Sequence, residues 1–288
     1  MSYKEKIGLI LGIGVFFTLI LSPPPSGMDT IAMRAAAVSL MMAIFWVTEA
    51  ISIFATAFIP VALFPLIGVL DAKQIAASYG HHIVILIIGA FFVAKAIEAN
   101  QLHKRIALFT IQIIGTSRKK IMLGFMVATG FLSMWTSNNS TTLMMLPIGL
   151  AILDREERAG SDVSKFAPGL MLCIAYSASI GGVGTLVGTP PNLVLAGVVS
   201  ETFGYEITFY QWFKFGFPIS LVLLFVSWKY LTSFAFQLKQ NTFPGGRIEI
   251  SNQLKALGKI SYEEKLIAGV FAFTAIAWIS RPFLLKFI

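Results

Sequence analysis

Seven polar residues in a row, Thr136-Ser137-Asn138-Asn139-Ser140-Thr141-Thr142, interrupt a stretch of chain that is otherwise strongly apolar. Their hydroxyls and amides can donate hydrogen bonds to an anion and offer oxygens to a cation, and none of them carries a charge. A second run, Gly181-Gly182-Val183-Gly184-Thr185 followed by Gly188-Thr189-Pro190-Pro191-Asn192, puts glycines and a Pro-Pro pair in the middle of the apolar segment 166–199. Proline removes a backbone donor and clashes with the preceding turn, so this segment cannot be one continuous helix. A helix broken at its centre exposes carbonyls and two helix ends, a common way to build an ion or substrate site within a membrane. A kink used only for packing is the alternative. A small dianion held away from water needs donors without a fixed charge that would trap it, and Ser137, Asn138, Asn139 and Thr189 fit that role.

Other chemistries find less support. The three histidines are His81 and His82, which are adjacent, and His103, with no Cys or carboxylate at ligand spacing, so a metal cluster is not expected. Cys173 is the only cysteine and lies in an apolar run, which excludes a disulfide framework. The glycines of Gly182-x-Gly184-x-x-x-Gly188 do not have dinucleotide-binding spacing. No convergent nucleophile, base or metal set suggests an enzyme. Glu49 and Glu98 sit near the ends of their apolar runs, so a mid-span proton-relay carboxylate is unsupported.

The elements that must position these residues are membrane helices. Of 288 residues 56% are hydrophobic and 12% charged, against roughly 25% charged in an ordinary soluble domain. The apolar residues come in runs of spanning character: 7–21, 31–51, 53–70, 83–97, 166–199, 209–236, and the start of another at 266–279. The run 7–21 follows Lys4 and Lys6 and reads as a retained short helix, with a secretory signal peptide as the alternative. Between 101 and 115, Leu102, Ile106, Phe109 and Ile113 line one helical face, which predicts an amphipathic helix lying in the interface. The apolar runs 121–135 and 143–153 flank the polar heptad and are each too short to cross the bilayer. They predict a re-entrant hairpin whose tip stops inside the membrane, with two helices and a surface loop as the alternative.

The net charge of +8 belongs to the connections and not to a nucleic-acid-binding face. Lys95, Lys104, Arg105, Arg118, Lys119 and Lys120, and then Lys239, Arg247, Lys255, Lys259 and Lys265, place residues 95–120 and 237–265 in the cytoplasm. The connection 200–208 holds Glu201 and Glu206 without a base and should face outward; 154–165 should face the cytoplasm.

At these positions the sequence resembles the divalent anion:sodium symporter family, carriers of dicarboxylates, citrate and sulfate. The resemblance runs in order from about residue 40 to 230. It is carried by Trp46-Val47-Thr48-Glu49-Ala50-Ile51, by Leu102-His103-Lys104-Arg105-Ile106-Ala107-Leu108, by Ser133-Met134-Trp135-Thr136-Ser137-Asn138 with Met144-Met145-Leu146-Pro147, and by Ala175 through Asn192. One departure is local: the family's tip reads Ser-Asn-Thr, and here Asn139 replaces the hydroxyl residue.

The resemblance implies an all-α polytopic membrane fold divided into scaffold-like helices at 1–98, an interfacial helix at 99–120, half of a transport domain at 121–236, a cytoplasmic loop at 237–262, and the first span of an incomplete second repeat at 263–288. It also implies a sodium site at Ser133, Ser137, Asn138 and Gly188, and a substrate set of Ser137, Asn138, Asn139, Thr189 and Pro190. Family members resemble two inverted repeats, and this chain has one hairpin and one broken helix. The resulting expectation is the first half of a sodium-coupled carrier for di- or tricarboxylates or sulfate, unable to transport alone. Its partners would be the lipid bilayer, a small dianion, a second half of the transporter and a second copy in a homodimer, in the inner (plasma) membrane, with no nucleic acid and no organic cofactor. A sodium-independent exchanger of the same fold, or a non-transporting subunit, remains the alternative.

Overall fold

The computed structural model describes residues 1–115, 117–238 and 246–284, with the backbone alone for 246–249 and Pro282. Lys239 therefore lies outside the described residues, as does the side chain of Arg247. The described residues are overwhelmingly helical and pack as two compact units, 1–85 and 86–288.

In the first unit, α1 (Tyr3–Leu21) starts earlier than its apolar run because Ser2 and Glu5 form a reciprocal capping box. It crosses α2 (Thr30–Thr48) through two glycines. A Cβ on Gly8 would lie 2.0 Å from Thr48 Oγ1, and one on Gly12 would lie 2.5 Å from the Phe45 ring. Without a hydrophobic driving force between helices in lipid, such close backbone approach supplies the packing. Helix α2 ends where Glu49 takes a left-handed conformation, φ 55°.

The run 53–70, expected as a single span, is instead two short helices, α3 (Ile53–Ala57) and α4 (Ile59–Leu66). Pro60 starts α4 and Pro65 sits inside it, and together the two helices are shorter than the roughly twenty residues a crossing needs. The polar segment after them contains α5 (Ala72–Tyr79), capped by Asp71 and Gln74, and leads into α6 (His82–Ala99).

Among the described residues four stretches are long and apolar enough to cross a membrane: Thr30–Thr48, Ala72–Ala99, Phe166–Val183 and Phe209–Ala235. Their outward side chains include Phe92 and Phe215, 73% and 71% exposed, a surface suited to lipid and not to water.

The second unit is built around α10 (Phe166–Val183), which packs on α8 (Arg118–Ser133), α9 (Asn138–Arg158) and α12 (Phe209–Tyr230). Phe125, Met126, Met145, Ile152, Phe166 and Leu170 are fully buried there. In this unit the closest glycine approach among the described residues is Gly181 on Gly130, where a Cβ would stand 2.2 Å from the Gly130 carbonyl oxygen.

The amphipathic segment is helix α7 (Leu102–Ile114), but the face that packs is not the one its spacing suggests. Leu102, His103, Ala107, Leu108 and Ile111 are buried, while Phe109 and Ile113 are left exposed. The helix has two apolar sides because it must both seat on α8 and meet lipid. The segment 237–262, expected as a polar loop, holds α13 (Gly246–Ala256), which packs on α7 with Ile250 fully buried. Helix α14 (Tyr262–Leu284) follows.

Candidate functional site

Helices α8 and α9 form an antiparallel pair. Ser133 at the end of α8 meets Asn138 at the start of α9, and Arg118 at the other end of α8 meets Glu156 near the end of α9. The connection is shorter than the polar heptad. Only Met134–Ser137 lie between the helices, and Asn138 to Thr142 form the first turn of α9. Ser137 causes this: as N-cap, its Oγ accepts from the Ser140 backbone N–H at 3.2 Å and donates to Ser140 Oγ at 2.8 Å. The apolar part of α9, 143–153, rises about 16 Å at 1.5 Å per residue, against a hydrocarbon core of roughly 30 Å.

Helix α10 ends at Val183, the chain runs irregularly through 184–189, and α11 (Pro190–Phe203) restarts with prolines in its first turn. Proline is tolerated there because first-turn N–H groups have no intrahelical acceptor. Thr189 is the N-cap and makes no side-chain cap hydrogen bond.

The hairpin tip and this break meet in the protein interior. Ser133 is fully buried, and its Oγ lies 2.8 Å from Asn138 Oδ1 and 2.6 Å from the Ala178 carbonyl oxygen. A hydroxyl has one hydrogen, so at any instant one of the two acceptors receives none. Three oxygens with one proton among them suit a hard cation, which oxygen ligands bind.

Asn138 stands against Gly182, where a Cβ would be 2.4 Å from Oδ1; Gly188 stands against the Gly182 carbonyl oxygen, with a Cβ distance of 2.5 Å. Two further residues join the junction. Thr185 Oγ1 donates to the Met134 carbonyl oxygen, and Asn192 Nδ2 donates to the carbonyls of Gly182 at 2.9 Å and Thr185 at 2.8 Å.

The residues singled out in the sequence therefore occupy different positions. Ser133, Asn138 and Gly188 cluster at the junction through Gly182. Ser137 is turned to Ser140 and faces a cavity of about 500 Å³, lined also by Thr136, Ser140 and, from α6, Phe91, Phe92 and Lys95. Asn139 and Pro190 are exposed and Thr189 is half-buried. Gly182, Thr185 and Asn192 escaped the sequence reading as site residues. Their signal was a polar side chain at 185 and at 192 inside an apolar segment, and their partners are carbonyls, which every residue type supplies.

Trp135, at the tip, packs on Phe209, Phe271 and Trp278 with ring centroids 5.9, 4.9 and 6.4 Å away. This aromatic cluster joins the hairpin to α12 and α14.

Residues 3–285 match the model of the sodium:sulfate symporter transmembrane region. The chain is 44% identical over 99% of its length to the sodium-dependent dicarboxylate transporter SdcS of Staphylococcus aureus strain USA300, and 43% identical to that of strain NCTC 8325. In each case it spans 56% of the relative's own length. With a family match over nearly every residue and long apolar helices around an interrupted hairpin, the chain is a multi-pass membrane protein and belongs to the sodium:sulfate symporter family.

Proposed function

We propose that this chain forms half of the transport machinery of a sodium-coupled secondary carrier for small dianions in the plasma membrane, with dicarboxylates the preferred class. The observation that carries the reading is the oxygen cluster of Ser133, Asn138 and Ala178 at the meeting of hairpin tip and helix break. Sodium, the co-transported ion, finds hydroxyl, amide and carbonyl oxygens there, with no fixed charge to hold it permanently. Next to that cluster, two helix N-termini present partial positive charge, α9 capped by Ser137 and α11 by a Thr189 hydroxyl unused in its cap.

A carboxylate bound by Ser137, Asn138, Asn139 and Thr189 would sit on donors and not on a cation, with Pro190 at its edge. Sodium beside it offsets the dianion's charge, which gives a physical basis for coupling the two. Such a site is completed by a matching hairpin and broken helix from a second repeat, and a homodimer is the proposed assembly. The name of the 44%-identical relatives favours dicarboxylates over sulfate. Asn139 in place of the family's hydroxyl residue makes the substrate range the property to measure first.

The test is reconstitution in liposomes of this chain together with the complementary second repeat, and of this chain alone, with labelled succinate, citrate and sulfate, under an inward sodium gradient and under choline replacement. Sodium-dependent succinate uptake is expected from the pair and none from this chain alone. Uptake by the pair unchanged under choline replacement would favour the sodium-independent exchanger, and no uptake of any anion by the pair would remove the carrier reading. Saturable sodium-dependent uptake by this chain alone would remove the half-carrier reading.

A further inference from the structure

We propose that Asn192 is a positioning residue that sets the sodium affinity of the hairpin-tip site by fixing the carbonyl end of α10. This inference rests on the sodium-site reading above. Asn192 is 7% exposed and belongs to the first turn of α11, beyond the break. Its Nδ2 has two hydrogens, and both are used across the break, on Gly182 O at 2.9 Å and Thr185 O at 2.8 Å. One side chain thus pins the end of α10 and the irregular segment to α11.

Both pinned residues also touch the hairpin tip. The Thr185 hydroxyl donates to the Met134 carbonyl, and Thr185 is fully buried. Gly182 faces the Asn138 side chain, and a Cβ there would stand 2.4 Å from Oδ1 and force that side chain to move. Asn138 in turn meets Ser133. A closed path therefore runs from Asn192 through Gly182 and Asn138 to Ser133, and back from Met134 through Thr185 to Asn192.

The break between α10 and α11 is rich in glycine, the residue with the most conformational freedom to lose. The Asn192 amide is the only side chain among the described residues that holds both sides of this break together by hydrogen bonds. Removing it frees Gly182 to move relative to Asn138. A cation site loses affinity when its oxygens must be gathered at the moment of binding, because ordering costs entropy that a preorganised site has already lost.

The experiment uses the full-length protein in lipid nanodiscs and titrates sodium against constant ionic strength with choline. Heat-unfolding midpoint and the fluorescence of a variant that keeps Trp135, beside the tip, with the other four tryptophans replaced by Phe are the readouts. Asn192→Ala is expected to raise the half-saturating sodium concentration about tenfold, as loss of one to two hydrogen bonds implies. Asn192→Ser keeps a hydroxyl that can serve one carbonyl and should fall between wild type and Asn192→Ala. Should Asn192→Ala fail to fold, Asn192→Ser carries the measurement, and wild-type affinity in it overturns the proposal. A lowered unfolding midpoint with unchanged half-saturating sodium would make Asn192 merely structural and overturn it as well. If wild-type protein shows no sodium-specific response, the sodium site itself is wrong; a normal wild-type response with unaffected variants removes only the role of Asn192.

Discussion

Arg118 Nε lies 2.9 Å from Glu156 Oε1, tying the first residue of α8 to the last turns of α9 at the open end of the hairpin. Each charge opposes its own helix dipole, a cation at an N-terminus and an anion near a C-terminus. Glu156 is fully buried, its Oε2 finds no hydrogen-bond partner among the described residues, and the guanidinium also stands 5.4 Å from the Phe166 ring centroid. Each residue is therefore tolerable only beside the other. Glu156→Ala should destabilise the protein by about 3 kcal/mol, because it strands a largely but not fully buried cation. The double variant Arg118→Met with Glu156→Leu should recover most of that loss. Unfolding in mixed micelles measures both, and a double variant no better than Glu156→Ala would refute the account.

The glycines at the α8–α10 crossing should separate stability from site geometry. A Cβ on Gly181 would strike the backbone of Gly130, at 2.2 Å from its oxygen and 2.6 Å from its α-carbon. Gly181→Ala must push the helices apart, at a cost of about 1–3 kcal/mol or more. Gly182→Ala instead meets the Asn138 side chain, which can swing away. It should therefore weaken sodium binding while leaving the unfolding midpoint much closer to wild type. Equal loss of stability in the two variants would contradict this division.

At the tip itself, Asn138→Ala removes an oxygen of the cluster, and Gly188→Ala drives a methyl group to 2.5 Å from the Gly182 carbonyl oxygen. Both substitutions should abolish sodium-stimulated anion uptake without loss of membrane insertion. Surface expression and uptake measured on the same cells, with the complementary second repeat co-expressed, provide the check. Normal uptake by both variants would mean that the tip is a plain connection.

Arg105 and Glu264 predict a pH-dependent latch. Arg105 Nε and Nη2 bond the Glu264 carboxylate at 2.8 and 3.1 Å, and the same guanidinium reaches the carbonyls of Leu257 and Gly258. Glu264 also caps α14 reciprocally with Ser261. The Arg105 hydrogen bond is the main cause that holds the Glu264 carboxyl below the usual carboxylate range. A depressed native pKa means that the stabilisation is present above the unfolded pKa and is lost as pH falls through the native one. Hydrogen exchange at 257–261 should accelerate as the pH is lowered through that acidic range, after correction for intrinsic rates. Glu264→Gln should show fast exchange already at neutral pH.

Orientation can be checked at Lys120, which is exposed, whereas Arg118 is half-buried in its ion pair. A single cysteine at position 120, in a Cys173→Ala background, should react with an impermeant thiol reagent only from the cytoplasmic side. Labelling from outside would reverse the proposed topology.

The membrane class, the helical composition and the existence of two interruptions, signalled by the polar run 136–142 and the glycine- and proline-rich run 181–192, follow from the sequence alone. Each is a local property: apolar run length, glycine and proline content, and polar residues where lipid would otherwise be met. The same local reading picked out Asn138, whereas Ser133 and Gly188 rested on the family resemblance alone. It misjudged 53–70, where Pro60 and Pro65 break a run whose length and hydropathy suggest one span.

What the tertiary structure decided is which polar groups meet. Ser133 reaches Ala178, forty-five positions away, and Thr185 reaches Met134 across fifty-one. Arg105 reaches Glu264 across 159. None of these partners is signalled by spacing, because two are backbone carbonyls and the third is one carboxylate among 14. The buried side of α7 was decided in the same way. Its helical period allows an apolar stripe on either flank, and only the presence of Gly124 against Ile111, with α13 beside it, selects the face that packs. A sequence records what each residue is able to bond; contact distance, set by how closely glycine lets two helices approach, determines which of those bonds form.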